Sequence, residues 1–179
     1  MAAIKRKKRF FDVEMPLIKK DTQLLAYELK ELEGRYILYD LTRILRGKSI
    51  MLQLKVKVND GKAEAFPTQV ELLPYYIRRM IRKGTSYIED SFSTNCKDSQ
   101  IRIKFFLITR RMVSRKVRNA LRIKADEELK NYVKEKSSEN VIEDVLRNQI
   151  QKELSAKLKK IYPLALCEIR EVKVEKILK

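Results

Sequence analysis

The densest group of cationic side chains lies where a predicted strand ends and a predicted helix begins. Its members are Arg110, Arg111, Arg115, Lys116, Arg118, Arg122 and Lys124. Cations near a helix N-terminus oppose the helix dipole, at a cost of about 0.3 to 1 kcal/mol each when exposed. A phosphate bound there would gain from the dipole, the free amide groups and the side chains together. The placement therefore favours a phosphate-binding site over the alternative, a solvated helical face.

A second cationic group is bracketed by a proline and a glycine, the order typical of a short helix. Its members are Arg78, Arg79, Arg82 and Lys83, between Pro74 and Gly84. The apolar side chains of this helix are expected to face a core, and they are Leu73, Ile77, Met80 and Ile81. Cations near a helix C-terminus suit the dipole without any ligand. RNA binding and a purely structural role therefore both remain open for this group.

The N-terminal segment combines cations with aromatic rings. Its candidate RNA-binding residues are Lys5, Arg6, Lys7, Lys8, Arg9, Phe10 and Phe11. The cations can neutralise phosphates, and the rings can stack on bases or fill a hydrophobic crevice. A solvated run of charges is the alternative. Because this segment lacks helical or strand periodicity, we predict that it is disordered in the free protein and becomes ordered on RNA.

The net charge supports a polyanionic partner. The 179 residues include 41 Lys and Arg against 24 Asp and Glu, which gives a charge of +17. Residues 97–124 carry ten positive and one negative side chain, whereas residues 21–75 carry eight of each. Charge that served solubility alone would not be segregated in this way, and the sequence therefore predicts an RNA-binding protein.

Catalytic chemistry has few candidate residues. The chain contains no histidine, which is the side chain most used for acid–base catalysis near neutral pH and for binding transition metals. A magnesium-dependent nuclease is the enzyme alternative, with the metal held by Asp12 and Glu14 or by Glu89 and Asp90. Adjacent carboxylates in a strand point to opposite faces, which argues against the second pair. We therefore predict no catalytic residue, no metal site and no cofactor.

The apolar segments and the cysteines indicate a cytoplasmic protein. Apolar runs such as residues 105–108 are far shorter than the roughly 20 residues needed to span a bilayer. No apolar segment with a cleavage site follows the N-terminal cations, so a secretory signal is not predicted. Cys96 and Cys167 have no histidine with which to form a structural zinc site, and we expect two buried free thiols.

Alternating apolar and polar residues predict the strands. The clearest alternation covers residues 50–58, and Asn59, Asp60 and Gly61 predict a hairpin to a strand at residues 62–70. Pro67 should keep that second strand at an edge or an end of its sheet. Further strands are predicted at residues 35–41, 86–95 and 100–109.

The C-terminal third predicts helices and a last strand. Apolar residues at three- and four-residue spacing predict one helix over 117–133 and a second over 141–161, ended by Pro163. Residues 166–177 predict a final strand with a bulge between Ile169 and Val172.

The predicted fold class is α+β. We expect a small antiparallel β-barrel with an intervening short helix, followed by two C-terminal amphipathic helices and a final strand. The expected division is a basic arm at residues 1–20, a barrel domain at 21–112, and C-terminal helices with a strand at 113–179 packed on the barrel.

Five short motifs occur in an order and spacing that match one known family. They are Lys8, Arg9, Phe10 and Phe11 with Pro16; Leu32, Gly34 and Arg35 with Asp40 and Leu41; Arg82 to Ser86 with Ile88; Thr109 to Arg111; and Lys159 to Leu164. Together they resemble the archaeal and eukaryotic small-subunit ribosomal protein family S-one-e, also called S-three-a-e. Phe10 stands where that family usually has tryptophan, and Met112 with Val113 also departs from its pattern.

The resemblance implies an archaeal-type structural protein of the small ribosomal subunit. It implies a seat on the platform, near the 3′ end of the small-subunit ribosomal RNA and the messenger exit. The implied partners are that ribosomal RNA, neighbouring platform proteins, and messenger RNA near the exit, with no membrane. A free-standing RNA-binding regulator is the alternative that shares the same basic surface.

Overall fold

The computed structural model describes residues 7–45, 47–59 and 61–177 and has an α+β fold. Its strands are β1 (Arg9–Met15), β2 (Lys20–Ala26), β3 (Tyr36–Asp40), β4 (Ile50–Asn59), β5 (Lys62–Leu72), β6 (Tyr87–Asn95), β7 (Ser99–Thr109) and β8 (Leu164–Ile177). Its α-helices are α1 (Pro74–Met80), α2 (Arg115–Lys134), α3 (Ser138–Leu146) and α4 (Gln149–Leu158), and a 3₁₀ turn covers Leu29–Leu32. None of the helices in these residues is long and apolar enough to cross a membrane.

The described residues form two compact units. The first unit lies within Met1–Tyr39 and Leu52–Thr68, and the second within Asp40–Met51 and Gln69–Lys179. The division into arm, barrel and C-terminal domain remains a prediction.

The N-terminal segment is a strand from Arg9 onward in the first unit. β1 pairs antiparallel with β2, from Arg9 opposite Ala26 to Met15 opposite Lys20. Val13 and Met15 are buried, and alternate residues of β1 face outward. The prediction of a disordered arm is therefore wrong for Arg9 to Phe11. The alternation that buries Val13 and Met15 extends back into these residues, although cations precede them. Lys5 and Arg6 lie outside the described residues.

The strands of the first unit are not closed into a barrel by backbone pairing. They follow the order β2-β1-β5-β4-β3, in which β1 and β5 are parallel. Side chains bridge the two ends: Lys20 Nζ donates to Tyr39 Oη at 3.0 Å, and Arg35 Nη1 donates to the Leu25 carbonyl at 3.0 Å. The predicted antiparallel barrel is not confirmed, since one pairing is parallel and the ends of the sheet meet through side chains.

Pro67 lies inside β5 rather than at its end. β5 pairs with β1 at Ala63 and Glu64, and with β8 from Gln69 to Glu71. Proline has no N–H to donate to a ladder, and Pro67 falls between these two paired segments. β5 also pairs with β4, so it is not an edge strand, and that prediction is wrong. Asp60, predicted to form the preceding turn, lies outside the described residues.

The core of the second unit is built around β7. This strand pairs antiparallel with β6 and β8, and its last five residues are buried. Helix α2 buries an apolar stripe at four-residue spacing, formed by Leu121, Ala125, Leu129 and Val133. Cys96 and Cys167 are both buried and free, as predicted.

The second predicted C-terminal helix is two helices. α3 ends at Leu146 and α4 begins at Gln149, with Asn148 between them in the left-handed region at φ 61°. Asparagine tolerates this conformation better than most residues. The apolar stripe continues across the break, which is why periodicity alone predicted one helix.

The predicted bulge in β8 is confirmed. Lys104 pairs with Glu171, but the next residue, Phe105, pairs with Ile169, so Arg170 is the extra residue. The bulge allows Ile169 and Val172 both to be buried although their spacing is odd.

A buried ion pair joins the segment before β4 to β8 in the second unit. Lys48 Nζ lies 2.6 Å from Glu168 Oε2, and the two side chains are 17% and 8% exposed. Lys48 also donates to Asn148 at the break between α3 and α4. Burial raises the pKa of the Glu168 carboxyl above its ordinary value, and the Lys48 ammonium opposes that rise.

Replacing Lys48 by methionine should destabilise the protein in a pH-dependent way. Leaving a buried carboxylate unpaired costs about 3 to 5 kcal/mol. Because the folded-state pKa of Glu168 is raised, its protonated form favours folding, and stability is lost as pH rises through that pKa. Urea unfolding of Lys48→Met should therefore show a larger loss at pH 7 than at pH 4. Adding Glu168→Gln should remove this difference, and an equal loss at both pH values would contradict the assignment.

Candidate nucleic-acid interface

Two buried hydroxyl groups hold together two loops that carry Arg82, Lys83, Arg110 and Arg111 of the predicted RNA-binding residues. The Thr109 N–H donates to the Ser86 carbonyl at 3.1 Å, and the Ser86 N–H donates to Thr109 Oγ1 at 2.9 Å. Ser86 Oγ accepts from the Val113 N–H at 3.1 Å, and Thr109 Oγ1 donates to the Arg111 carbonyl at 2.6 Å. Loop 81–86 and loop 109–114 are therefore fixed beside each other, although the intervening hairpin separates them in sequence.

Helix α1 ends earlier than predicted, so part of the second cationic group lies on loop 81–86. Ile81 has extended backbone angles, φ −78° and ψ 123°, which end the helix after Met80. Arg82 and Lys83 therefore follow the helix rather than lie on it, and both are exposed. Ile81, predicted to be buried, is 44% exposed. Arg82 and Lys83 thus lie on the loop that Ser86 joins to the loop carrying Arg110 and Arg111.

The remaining two cations of this group lie on α1 itself. Arg78 and Arg79 are exposed in its last turn. The Arg79 guanidinium lies 5.5 Å from the centroid of the Tyr76 ring, and Tyr76 is buried. Tyr76 thus supplies a core contact of α1 together with Ile77.

The N-terminus of α2 carries positive charge that neither a capping side chain nor an acidic residue in its first turn offsets. Its N-cap, Ser114, makes no side-chain capping hydrogen bond to any described residue, and the first turn has no acidic side chain. Cations stand there instead, where the free amides and the dipole already carry partial positive charge. Within the described ranges, no ion pair involves any of the exposed cations Arg110, Arg111, Arg115, Lys116 and Arg118.

Arg122 and Lys124 differ from the other cations of the predicted cluster because each forms an ion pair with a carboxylate. Arg122 Nη1 lies 3.4 Å from Asp90 Oδ2. Lys124 Nζ lies 3.2 Å from Glu128 Oε1 and 3.5 Å from Glu127 Oε2. The predicted cluster of seven therefore contains two cations that form ion pairs and five that form none with a described residue.

An open depression of about 270 Å³ lies between α2 and β6 in the second unit. Its lining residues are Tyr87, Ile88, Glu89, Arg115, Arg118, Asn119 and Arg122. Tyr87 Oη donates to Glu89 Oε2 at 2.6 Å, and burial followed by this bond raises the pKa of Tyr87 to about 12. Arg170 also lies 3.3 Å from Glu89. Arg170 thus already balances the charge of the Glu89 carboxylate, and the unpaired Arg115 and Arg118 of the lining can accept a phosphate.

Three of the four carboxylates considered for magnesium have other partners. Glu89 contacts Arg170 while Asp90 contacts Arg122, in line with their opposite directions on β6. Asp12 Oδ1 accepts from Gln23 Nε2 at 2.9 Å. Among the residues that the structure describes, no three metal-ligating side chains come together.

The N-terminal candidates lie in the first unit. Lys8 Nζ lies 5.4 Å from the centroid of the Tyr27 ring, and Phe10 is 68% exposed opposite Leu25. Lys7 and Arg9 are exposed, whereas Phe11 faces inward and is half-buried. Phe10 remains a candidate for stacking, and Phe11 contributes to packing.

Sequence reasoning missed three features of the interface. Met112 is 76% exposed between the cations of loop 109–114, and Tyr75 is 53% exposed on α1. It also missed the bridging role of Ser86, whose small polar side chain carries no periodic signal.

Comparison with known proteins gives one family over nearly the whole chain. The sequence model described as Ribosomal S3Ae family matches residues 4–177. The small ribosomal subunit protein eS1 of Saccharolobus solfataricus is 29% identical over 159 residues, which are 85% of this chain and 76% of that protein. The eS1 protein of Pyrobaculum neutrophilum is 29% identical over 139 residues, covering 76% of this chain and 63% of that protein.

Replacing Thr109 by valine should weaken the junction of the two loops. The substitution keeps the side-chain shape but leaves the buried Ser86 N–H without its acceptor, at a cost of about 1 to 3 kcal/mol. Thr94→Val is the matched control, because no described residue hydrogen-bonds to the half-buried Thr94 hydroxyl. Urea unfolding should show a clear loss for Thr109→Val and a change within about 0.5 kcal/mol for the control. Equal stability of the two variants would refute the bridging role.

Proposed function

This chain belongs to the Ribosomal S3Ae family, and from that membership we propose that it is a structural constituent of the small ribosomal subunit. The match over residues 4–177 carries the proposal. The relatives that support it are named small ribosomal subunit protein eS1. In this role the chain binds small-subunit ribosomal RNA in the cytoplasm and performs no catalysis.

The proposed ribosomal RNA contacts lie mainly on the second unit. Unpaired cations on loop 81–86, loop 109–114 and the first turn of α2 bind phosphates, assisted by the free amides of that helix. Lys7, Lys8, Arg9 and Phe10 of the first unit contribute a separate contact. The proposed seat is the platform near the 3′ end of the ribosomal RNA and the messenger exit, beside neighbouring platform proteins and messenger RNA.

A sucrose gradient distinguishes a ribosomal constituent from a free-standing RNA-binding regulator. A constituent should sediment with small subunits and remain there at high salt, because many cooperative contacts hold it. A regulator should be found at the top of the gradient. Detection of the chain in the top fractions alone would refute the ribosomal proposal.

The salt dependence of RNA binding tests which cations contact phosphates. Replacing Arg110, Arg111, Arg115 and Arg118 together by glutamine should flatten the log–log salt slope by roughly three units. The melting temperature should be unchanged or higher, since cations leave a helix N-terminus. Fluorescence anisotropy with a ribosomal RNA fragment and thermal unfolding of the same variant measure the two effects.

The control for this variant changes the same number of charges elsewhere. Lys97, Lys134, Lys152 and Lys176 are exposed, and no described residue forms an ion pair with them. Their quadruple replacement by glutamine should alter the slope by less than about one unit, since only distant screening changes. A destabilised arginine variant with an unchanged slope would show that these arginines are structural.

A further inference from the structure

The outward face of β3, β4 and β5 in the first unit carries aromatic rings and lysines together. On β4, Leu52, Leu54 and Val56 are fully buried, so the alternate residues Lys55 and Lys57 face outward. On β3, Ile37 is buried, whereas Tyr36 is 57% and Leu38 68% exposed. We call the set Tyr36, Leu38, Lys55, Lys57 and Phe66 the aromatic face.

Each lysine of the aromatic face lies over one of its rings. Lys55 Nζ lies 5.9 Å from the centroid of the Tyr36 ring, and Lys57 Nζ lies 4.7 Å from the centroid of the Phe66 ring. β5 is tied to β4 beside them, where Thr68 Oγ1 donates to the Gln53 carbonyl at 3.1 Å. The rings are therefore placed on a rigid sheet, with an ammonium group beside each.

The charges of the aromatic face indicate the chemistry of its occupant. Residues 36–39 and 52–59 contain no Asp or Glu, and neither Lys55 nor Lys57 forms an ion pair with a described residue. Two carboxylates share the outward side of these strands: Glu64, half-buried two residues before Phe66 on β5, and Asp40, exposed two residues after Leu38 on β3. Each lysine lies over a ring. When RNA binds, a base can stack on that ring in place of the lysine, and the lysine can contact the phosphate of the same nucleotide. A ligand with flat rings and a phosphate chain satisfies both features.

We propose that the aromatic face binds single-stranded RNA, with unpaired bases stacked on Tyr36 and Phe66 and phosphates contacted by Lys55 and Lys57. An RNA duplex does not fit, because its bases are already stacked inside the helix. This site lies in the first unit, whereas the cationic surface lies in the second, and it deepens the proposed function on which it rests by naming single-stranded RNA as a ligand. Its ligand is a strand rather than a folded helix.

Tryptophan fluorescence tests the stacking directly. The chain contains no tryptophan, so Tyr36→Trp introduces a single reporter ring into the full-length protein. Titration with a ten-nucleotide oligouridylate should quench its emission and shift it, and a duplex RNA of equal length should do so far less. The control is Ile177→Trp, at a position that is 69% exposed on β8, where no comparable quenching is expected.

Affinity measurements separate stacking from apolar contact and from charge. Tyr36→Leu keeps apolar surface but removes the ring, and it should weaken oligouridylate binding about tenfold. Tyr36→Phe keeps the ring and should bind within about twofold of the parent. Lys55→Gln with Lys57→Gln should lower the salt slope by roughly one unit, since single strands give about 0.7 for each phosphate contact.

Three outcomes would overturn this site. They are the absence of quenching in Tyr36→Trp, equal binding by Tyr36→Leu and the parent, and equal quenching by duplex and single strand. If Tyr36→Leu instead binds RNA normally but assembles into subunits that lack a neighbouring protein, the face docks a protein. Sedimentation of Tyr36→Leu with small subunits reports on the ribosomal role independently, so failure of one proposal is distinguishable from failure of the other.

Discussion

The hydrogen bonds between Ser86 and Thr109 are the interaction on which the cationic surface depends. They close the open end of the β6–β7 pair, and through Val113 and Arg111 they fix the path of the chain into α2. Unpaired cations repel one another, so the cations of loop 81–86 and loop 109–114 disfavour a close approach of the two loops. A buried polar contact that would be costly to break opposes this repulsion. The surface is therefore positioned by the fold before any ligand neutralises it.

The distribution of carboxylates determines which cations remain available. Along α2 the first turn has none, whereas Asp126, Glu127 and Glu128 follow in its middle and pair with lysines. The polar face of β7 and β8 is likewise neutralised, since Arg102 pairs with Glu175 and Lys104 with Glu171. The chain thus places its ion pairs where packing needs them and leaves the start of α2 uncompensated. Net charge alone does not distinguish these two populations of cations.

Periodicity predicted the elements whose two faces differ in environment. The alternation of apolar residues predicts β4 correctly, because burial of one face of a strand requires every second residue to be apolar. The apolar stripe predicts α2 correctly, because burial of one face of a helix requires an apolar residue at every third or fourth position. The bulge in β8 was predictable for the same reason, since two buried residues at odd spacing require an extra one. Phe11, Val13 and Met15 of β1 alternate as well, but the charges before them obscured the strand. For the site, residue types identified the cationic groups, and the sequence could not tell that Arg122 is paired while Arg118 is not.

Features set by contacts distant in sequence were beyond periodic reasoning. The break at Asn148 interrupts no apolar stripe, and its left-handed backbone is accompanied by a contact to Lys48, a hundred residues away. The parallel pairing of β1 with β5 also involves segments far apart in sequence, and hairpin rules do not address it. The aromatic face illustrates the same limit. In the sequence, nothing distinguishes Tyr36 and Phe66 from other strand residues. Only the pairing of the strands places Lys55 and Lys57 beside their rings. The proposed recognition of an RNA strand there depends on tertiary pairing, whereas the positive charge of residues 110–118 is already present in the local sequence.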